Sequence, residues 1–326
     1  MRRRTFLVDT LGVFAVPLAA GAQPPGKVPQ IGVLLLGTEG IDISRSAKAF
    51  RDGLHELGWV EGRTVHLRLK FANRSYERLA ALAAELVREK VDVIAAISTS
   101  AAQAAQRATK TIPIVMVGAG DPVGAGLVTN LAQPTGNITG VSLLIEELGS
   151  KRLALLRELL PRLSRIAVVH ADTQAGRAAL HEMQGVAPRL ALELQPVVFQ
   201  TPDSLPRQFV EIRDARAEAL VIMPNPNVDE ARSAIADLAM KHKLPTMFAF
   251  REYVEAGGLV SYGSNLAEGH RRAAAYADKI LKGARPSDLP VEQAAKFELV
   301  INLKTAKALG LTIPQSLLLR TDQVIE

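Results

Sequence analysis

The chain has 326 residues, 48% of them hydrophobic and 22% charged, which is the balance of a folded globular protein and long enough for two domains of ordinary size. It has no cysteine, which excludes disulfides, thiolate catalysis and cysteine-held metals. The formal net charge is +6, of which Arg2, Arg3, Arg4 and Asp9 contribute +2, so the remaining +4 is spread thinly and does not form the block expected of a nucleic-acid binder.

The first 22 residues have a basic start, an apolar middle broken by Asp9 and Pro17, and a small-residue end at Ala20-Gly21-Ala22. This is the layout of a secretory signal peptide, and Arg3-Arg4-Thr5-Phe6-Leu7 resembles a twin-arginine export motif. No later apolar run approaches 20 residues. The expectation is an exported protein, located in the periplasm if the source is bacterial.

From residue 28 the chain alternates short apolar strands with amphipathic helices. The pattern predicts strands over 30–37, 64–72, 91–98 and 112–119, with helices over 44–58, 75–90 and 101–109. Strands joined by helices imply a parallel sheet covered on both faces. The order then repeats. The strand over 165–172 matches the first one, with Ile166 lying 135 residues after Ile31. A helix near 174–190, a strand over 192–200, a helix near 204–216, a strand over 217–225, a helix over 228–242 and a strand over 243–250 follow. One duplication of this length predicts two α/β lobes built alike.

The tail departs from the repeat, with a strand over 257–263, a helix over 265–283, a proline-containing connector, and a last strand and helix. If 257–285 returns to the first lobe, the lobes are 28–145 with 257–285, and 146–256 with 286–326. Three segments then cross between them, the arrangement of a hinge beside a cleft.

Ligands of open parallel sheets sit beyond the carboxyl ends of the strands. Those ends offer Thr38, the hydroxyl run Ser98-Thr99-Ser100, and Asp121 in the first lobe. The second lobe offers His170, Thr173, Asn225 and Arg251, and the returning strand offers Tyr262. Small hydrogen-bonding groups with one aromatic and one arginine suit a small polar solute with an apolar part. Each has a structural alternative. The serines, threonines and Asn225 can cap helices, Asp121 can turn the chain before Pro122, and Arg251 can pair with Glu252 or Glu255. His170 can be a tucked strand-end residue, and Tyr262 can pack at the hinge.

Catalytic signatures are weak. The histidines show no metal-ligand spacing, there is no G-x-S-x-G turn and no phosphate loop, and "GAGDPVGAG" (118–126) has the wrong spacing for a dinucleotide fingerprint. The expectation is binding without a cofactor, a metal or catalysis. A hydrolase or racemase is the alternative from another class.

Three stretches carry a family resemblance: "AFRDGLHELGWVEGRTV" (49–65), "GDPVGAGLVTNLAQPTGNITGVS" (120–142) and the long block from "AGGLVSYGSNLAEGHRRAAAYADKILKG" to "RTDQVIE" (256–326). They resemble the ABC transporter substrate-binding proteins of the tryptophan/tyrosine-binding-like group, over essentially the whole mature chain. "PTGN" (134–137) and "RTDQVIE" (320–326) depart from the family pattern, outside the expected cleft. The resemblance implies a type I periplasmic binding fold: two Rossmann-like lobes, a three-segment hinge, and closure around a small carboxylate-bearing solute. It implies Ser98, Thr99 and Ser100 as the first-lobe anchor for that carboxylate, Asp121 as a partner for an ammonium group, and Asn225 and Tyr262 as contacts from the other side. It also implies an ABC permease in the inner membrane as partner and a monomer as the working form. A sensory binding protein serving a membrane receptor is the alternative within the same fold.

Overall fold

The computed structural model describes residues 27–39, 43–145 and 147–326; the signal-peptide segment lies outside the described residues. The first sheet contains β1 (Gln30–Leu35), β2 (His66–Phe71), β3 (Val93–Ile97), β4 (Ile114–Ala119) and β5 (Ile138–Ser142). The second contains β6 (Arg165–Ala171), β7 (Glu193–Phe199), β8 (Ala219–Ile222), β9 (Thr246–Phe248) and β10 (Val260–Ser264). Of the last three strands, β11 (Glu292–Gln293) joins the first sheet, whereas β12 (Phe297–Asn302) and β13 (Gln323–Ile325) join the second. The orders are β11-β5-β4-β3-β1-β2 and β13-β12-β10-β9-β8-β6-β7. All pairs are parallel except β10 with β12.

The duplicated α/β reading holds in both sheets. β1 and β3 are buried along almost their whole length, as continuous apolar runs covered on both faces must be. Each lobe accordingly carries an apolar cluster on either side of its sheet, built in the first lobe around Leu34, Ile94 and Met116 on one face and Val33, Phe50 and Val117 on the other. In the second lobe the clusters are built around Ile166, Val221 and Met247, and around Phe209, Leu220 and Phe248.

The lobe boundaries differ from the sequence expectation. The strand 260–264 belongs to the second sheet, between β9 and β12, and only the helix Leu266–Leu281 returns to the first lobe, where it packs on the helix Ile43–Glu56. Gly53 permits that approach, since a Cβ there would come within 2.9 Å of the Ala274 Cβ. β11 likewise sits in the first sheet rather than the second. Pairing decided both placements. An apolar strand reads the same whichever sheet it joins, and Gly263 lets β10 lie so close to Ala249 that a Cβ would stand 2.1 Å from its carbonyl oxygen.

The three crossings therefore fall after Ser142, after Ser264 and after Gln293. They touch one another. Ser264 Oγ donates to the Leu143 carbonyl at 2.8 Å, and the Ala294 N–H donates to the Ser142 carbonyl at 2.9 Å. Arg152 is 3% exposed and donates from Nε to the Tyr262 carbonyl and from Nη1 to the Ile145 carbonyl, at 2.8 and 2.9 Å. The hinge is a hydrogen-bonded bundle of strand ends.

Candidate functional site

In each lobe the strand order reverses beside its first strand, β1 between β2 and β3, and β6 between β7 and β8. The chain leaves those strands in opposite directions, which opens a crevice at their carboxyl ends. The two crevices face each other and enclose a cavity of about 170 Å³. Leu35, Leu36, Gly37, Ile97 and the run Ser98–Ser100 line it from the first lobe; Ala171, Thr173, Met223, Asn225 and Phe250 line it from the second. Most of the wall is apolar.

The first-lobe wall is built on a helix start. Ser98 has φ +100°, a conformation costly for a side-chain-bearing residue. Its Oγ accepts from the Ala101 N–H at 3.3 Å and caps the helix Thr99–Ala108. Thr99 Oγ1 accepts from the Gly120 N–H at 3.0 Å, tying the helix to the end of β4. The Ser100 hydroxyl and the backbone N–H groups of Thr99 and Ser100 take no hydrogen-bond partner among the described residues. Unpaired N–H groups at the positive end of a helix favour an anion.

The second-lobe wall is acidic. The sequence predicts one helix over 228–242; the structure breaks it at Ala231 into Pro226–Glu230 and Arg232–Lys241. The break turns Asp229 and Glu230 toward the cavity, where Glu252 joins them from the helix Arg251–Glu255. Asp229 is half-buried and accepts a hydrogen bond from the Tyr253 hydroxyl. Burial pushes its carboxyl up to about 7 against the opposing Tyr253 hydrogen bond, and the Glu252 charge adds to the rise. Burial also raises Glu252, whose Oε2 has no partner among the described residues. Arg232 lines the same wall and donates from Nη1 to the Asp229 carbonyl at 2.9 Å.

Two second-lobe residues, Glu230 and Asn225, bond across the cleft. Glu230 accepts from the Thr38 N–H at 2.6 Å and from Arg74 Nε at 2.5 Å, with its own side chain 2% exposed. Asn225 Nδ2 donates to the Tyr76 hydroxyl at 3.3 Å. The lobes are closed on each other.

Of the residues predicted at the site, Ser98, Thr99, Ser100, Thr173 and Asn225 line the cavity. Thr173 and Asn225 also cap the helices that follow them. Thr38 reaches the cavity only through Glu230. The other four lie elsewhere. Asp121 Oδ1 accepts from the N–H groups of Val123 and Gly124 and closes a turn. His170 is tucked at 3% exposure beside the Ala171 carbonyl. Arg251 pairs with Glu255 and Glu298, and Tyr262 packs against Phe297 on the second-lobe core. Strand and helix geometry explains the last two, because neighbours on an element face different ways. Phe250 and Glu252 line the cavity where Arg251 does not.

Sequence reasoning missed Asp229, Glu230, Glu252, Tyr253 and His270. The pair Asp229-Glu230 in a segment opened by Asn225-Pro226-Asn227 was the available signal, since a proline so placed begins a new short helix. Among the described residues no group of three or more histidine or acidic side chains could hold a metal ion, and no helix is long and apolar enough to cross a membrane.

Comparison with known proteins gives one consistent answer. The family model described as ABC transporter substrate binding protein matches residues 35–325. A curated tyrosine-binding protein of Clostridioides difficile is 27% identical over 286 residues, covering 87% of this chain and 82% of that one. Among solved structures, a conserved domain protein from Vibrio cholerae superposes with a TM-score of 0.85 at 30% identity, over 91% of this chain and all of the other. A domain from Streptococcus pneumonia, solved in complex with L-Trp, gives 0.81 at 26% identity, over 90% of this chain and all of the other.

Proposed function

This chain belongs to the ABC transporter substrate-binding protein family, whose role is binding rather than catalysis, and from that premise we propose that it is a periplasmic receptor for a small carboxylate-bearing solute, an amino acid or an aromatic acid. It captures the solute between its lobes and delivers it, as a monomer, to an ABC permease in the inner membrane. The observation that carries the reading is the polarity of the cavity. The free N–H groups of Thr99 and Ser100 form one wall, and Glu252 and Asp229 stand on the other, with apolar side chains between them. A carboxylate on the helix start, an ammonium near the acids and a hydrocarbon body between them would satisfy all three. The relatives named for tyrosine and solved with L-Trp favour an aromatic amino acid among such solutes. Export through the N-terminal signal peptide completes the reading.

In this mechanism the solute enters the open form, and closure is stabilised by contacts made only when both walls meet it. Glu230, Thr38 and Arg74 add to the closed state whichever solute is present.

Calorimetry with L-tryptophan, L-tyrosine, other amino acids and aromatic carboxylates, paired with small-angle scattering, tests the reading. The expected result is saturable binding of at least one carboxylate with a fall in radius of gyration. No binding across these classes would overturn it, and conversion of a bound candidate during long incubation would favour the enzyme alternative.

A further inference from the structure

Helix Leu266–Leu281 carries His270 into the first-lobe wall of the cavity. The residue is 2% exposed. Its Nδ1 is buried and has no hydrogen-bond partner among the described residues. Its Cδ2–Nε2 edge lies against Gly118, where a Cβ would come within 3.0 Å of Nε2. Gly118 has φ +76°, so both the backbone and the space at that position favour glycine, and the ring has room only because glycine is there.

Ile97, Val117, Leu143 and Leu266 line the same cavity, and Leu143 meets the imidazole at Gly118. No charged group acts on the ring, and burial alone drives its pKa down to about 4. It is therefore neutral at ordinary pH and offers one N–H donor and one lone pair. A buried nitrogen left without a partner in an apolar wall is costly, and such groups nearly always have one. The imidazole that carries it lines a ligand cavity.

We infer that His270 determines specificity by bonding a single hydroxyl or N–H group at the end of an otherwise apolar ligand side chain. The inference rests on the reading of the cavity as a carboxylate-solute site and adds the chemistry of the solute's other end. A phenol hydroxyl can meet either tautomer of the ring, and an indole N–H can meet a free lone pair. A plain hydrocarbon end would leave the imidazole without a partner in the cavity, and sites built to bond a substrate hydroxyl discriminate strongly against the analogue without it.

Matched pairs test this by calorimetry: L-tyrosine against L-phenylalanine, 4-hydroxyphenylacetate against phenylacetate, and L-tryptophan against 1-methyl-tryptophan. In the native protein the hydrogen-bonding member of at least one pair should bind about tenfold or more tightly. That ratio should fall to near one in His270→Phe and be partly restored in His270→Gln, which keeps a donor and an acceptor. Thermal unfolding of both variants verifies that they fold, and the glutamine variant carries the test if the phenylalanine variant does not. A ratio near one for every pair in the native protein, or a preference unchanged in both variants, overturns the inference while leaving the solute reading intact. Failure of every compound to bind removes the solute reading, and this inference with it.

Discussion

Glu230 and Arg74 belong to different lobes and meet at 2.5 Å across the cleft, with the glutamate side chain almost wholly buried. Arg74 is held in place by a left-handed backbone, φ +50° at Asn73 and +68° at Arg74, and by its own N–H donating to the Leu36 carbonyl. The contact exists only when the lobes are together, so it contributes to the closed state alone.

Removing it should loosen closure without changing which solute is chosen. Glu230→Ala should weaken binding of every solute by about tenfold, the low end for charged hydrogen bonds because Arg74 remains partly exposed. Arg74→Ala should lose less, because Glu230 keeps its Thr38 bonds, and the double variant should lose little more than Glu230→Ala, because the Arg74 bond across the cleft is to Glu230. Calorimetry on the four proteins checks the cycle. Additive losses would show that the pair does not act as a unit.

Two groups at the cavity wall set opposing pH dependences. Asp229 is raised from 3.8 to about 7 by burial, so the folded state holds its proton more tightly than the unfolded chain does. Its stabilisation is complete below about pH 4 and is lost as pH rises to 7, a change on the order of 4 kcal/mol. His270 is lowered from 6.5 to about 4, so the unfolded chain takes up its proton first. Its contribution is complete above 6.5 and is lost as pH falls to 4, on the order of 3 kcal/mol. Between pH 4 and 6.5 the two nearly cancel. Urea unfolding should show stability falling with rising pH in His270→Gln and rising with pH in Asp229→Asn, with the native protein flatter than either.

The α/β repeat was legible because its signals are redundant. "VIAAI" within "VDVIAAIS" is an apolar run, and of Leu79, Leu82, Leu86 and Val87, expected on the inner face of one helix, Leu79 and Leu86 are buried while Leu82 and Val87 pack partly buried against the same core, so core and element type agree. β5 escaped notice because "ITGVS" is short and carries Thr139 and Gly140, yet it is wholly buried. The strand-end rule located the loops of the site and half of its side chains. It could not say which residue of a loop turns inward. Asp121 follows a register shift between Val117 and Ala119 and turns into its own loop. Asp229 and Glu230 face the cavity because the helix breaks at Ala231, which an alanine does not announce. His270 is carried in by a helix whose lobe depends on a chain crossing, and no local pattern encodes that.

At the hinge, Arg152 bonds the carbonyls of Ile145 and Tyr262, which lie on either side of two crossings. Replacing it with leucine keeps much of the packing and leaves both carbonyls without their donor in a buried site. The expected cost is roughly 2–4 kcal/mol of unfolding free energy. Arg152→Lys should recover only part, since one ammonium does not reproduce the geometry of the guanidinium fork. Urea titration of both variants measures this. A loss below about 0.5 kcal/mol in the leucine variant would remove Arg152 as the hinge tie.

The hydroxyl run Ser98-Thr99-Ser100 divides its tasks, and single alanine substitutions should separate them. Ser98 Oγ is committed to the Ala101 N–H, so Ser98→Ala should lower stability by about 1 kcal/mol, the usual cost of a lost cap, with little change in affinity. Thr99 Oγ1 ties the helix start to Gly120, so Thr99→Ala should lower stability and also weaken binding by misplacing the N–H groups beside it. The Ser100 hydroxyl has no partner to lose among the described residues, so Ser100→Ala should leave unfolding unchanged and weaken carboxylate binding by a factor of about 5–10, the value of one hydrogen bond. Melting and calorimetry on the three variants give six numbers. Equal affinity for all three would mean that the run is a cap and the anion site lies elsewhere. Loss confined to Ser100→Ala and Thr99→Ala would assign the anchor to the hydroxyl and the helix start together.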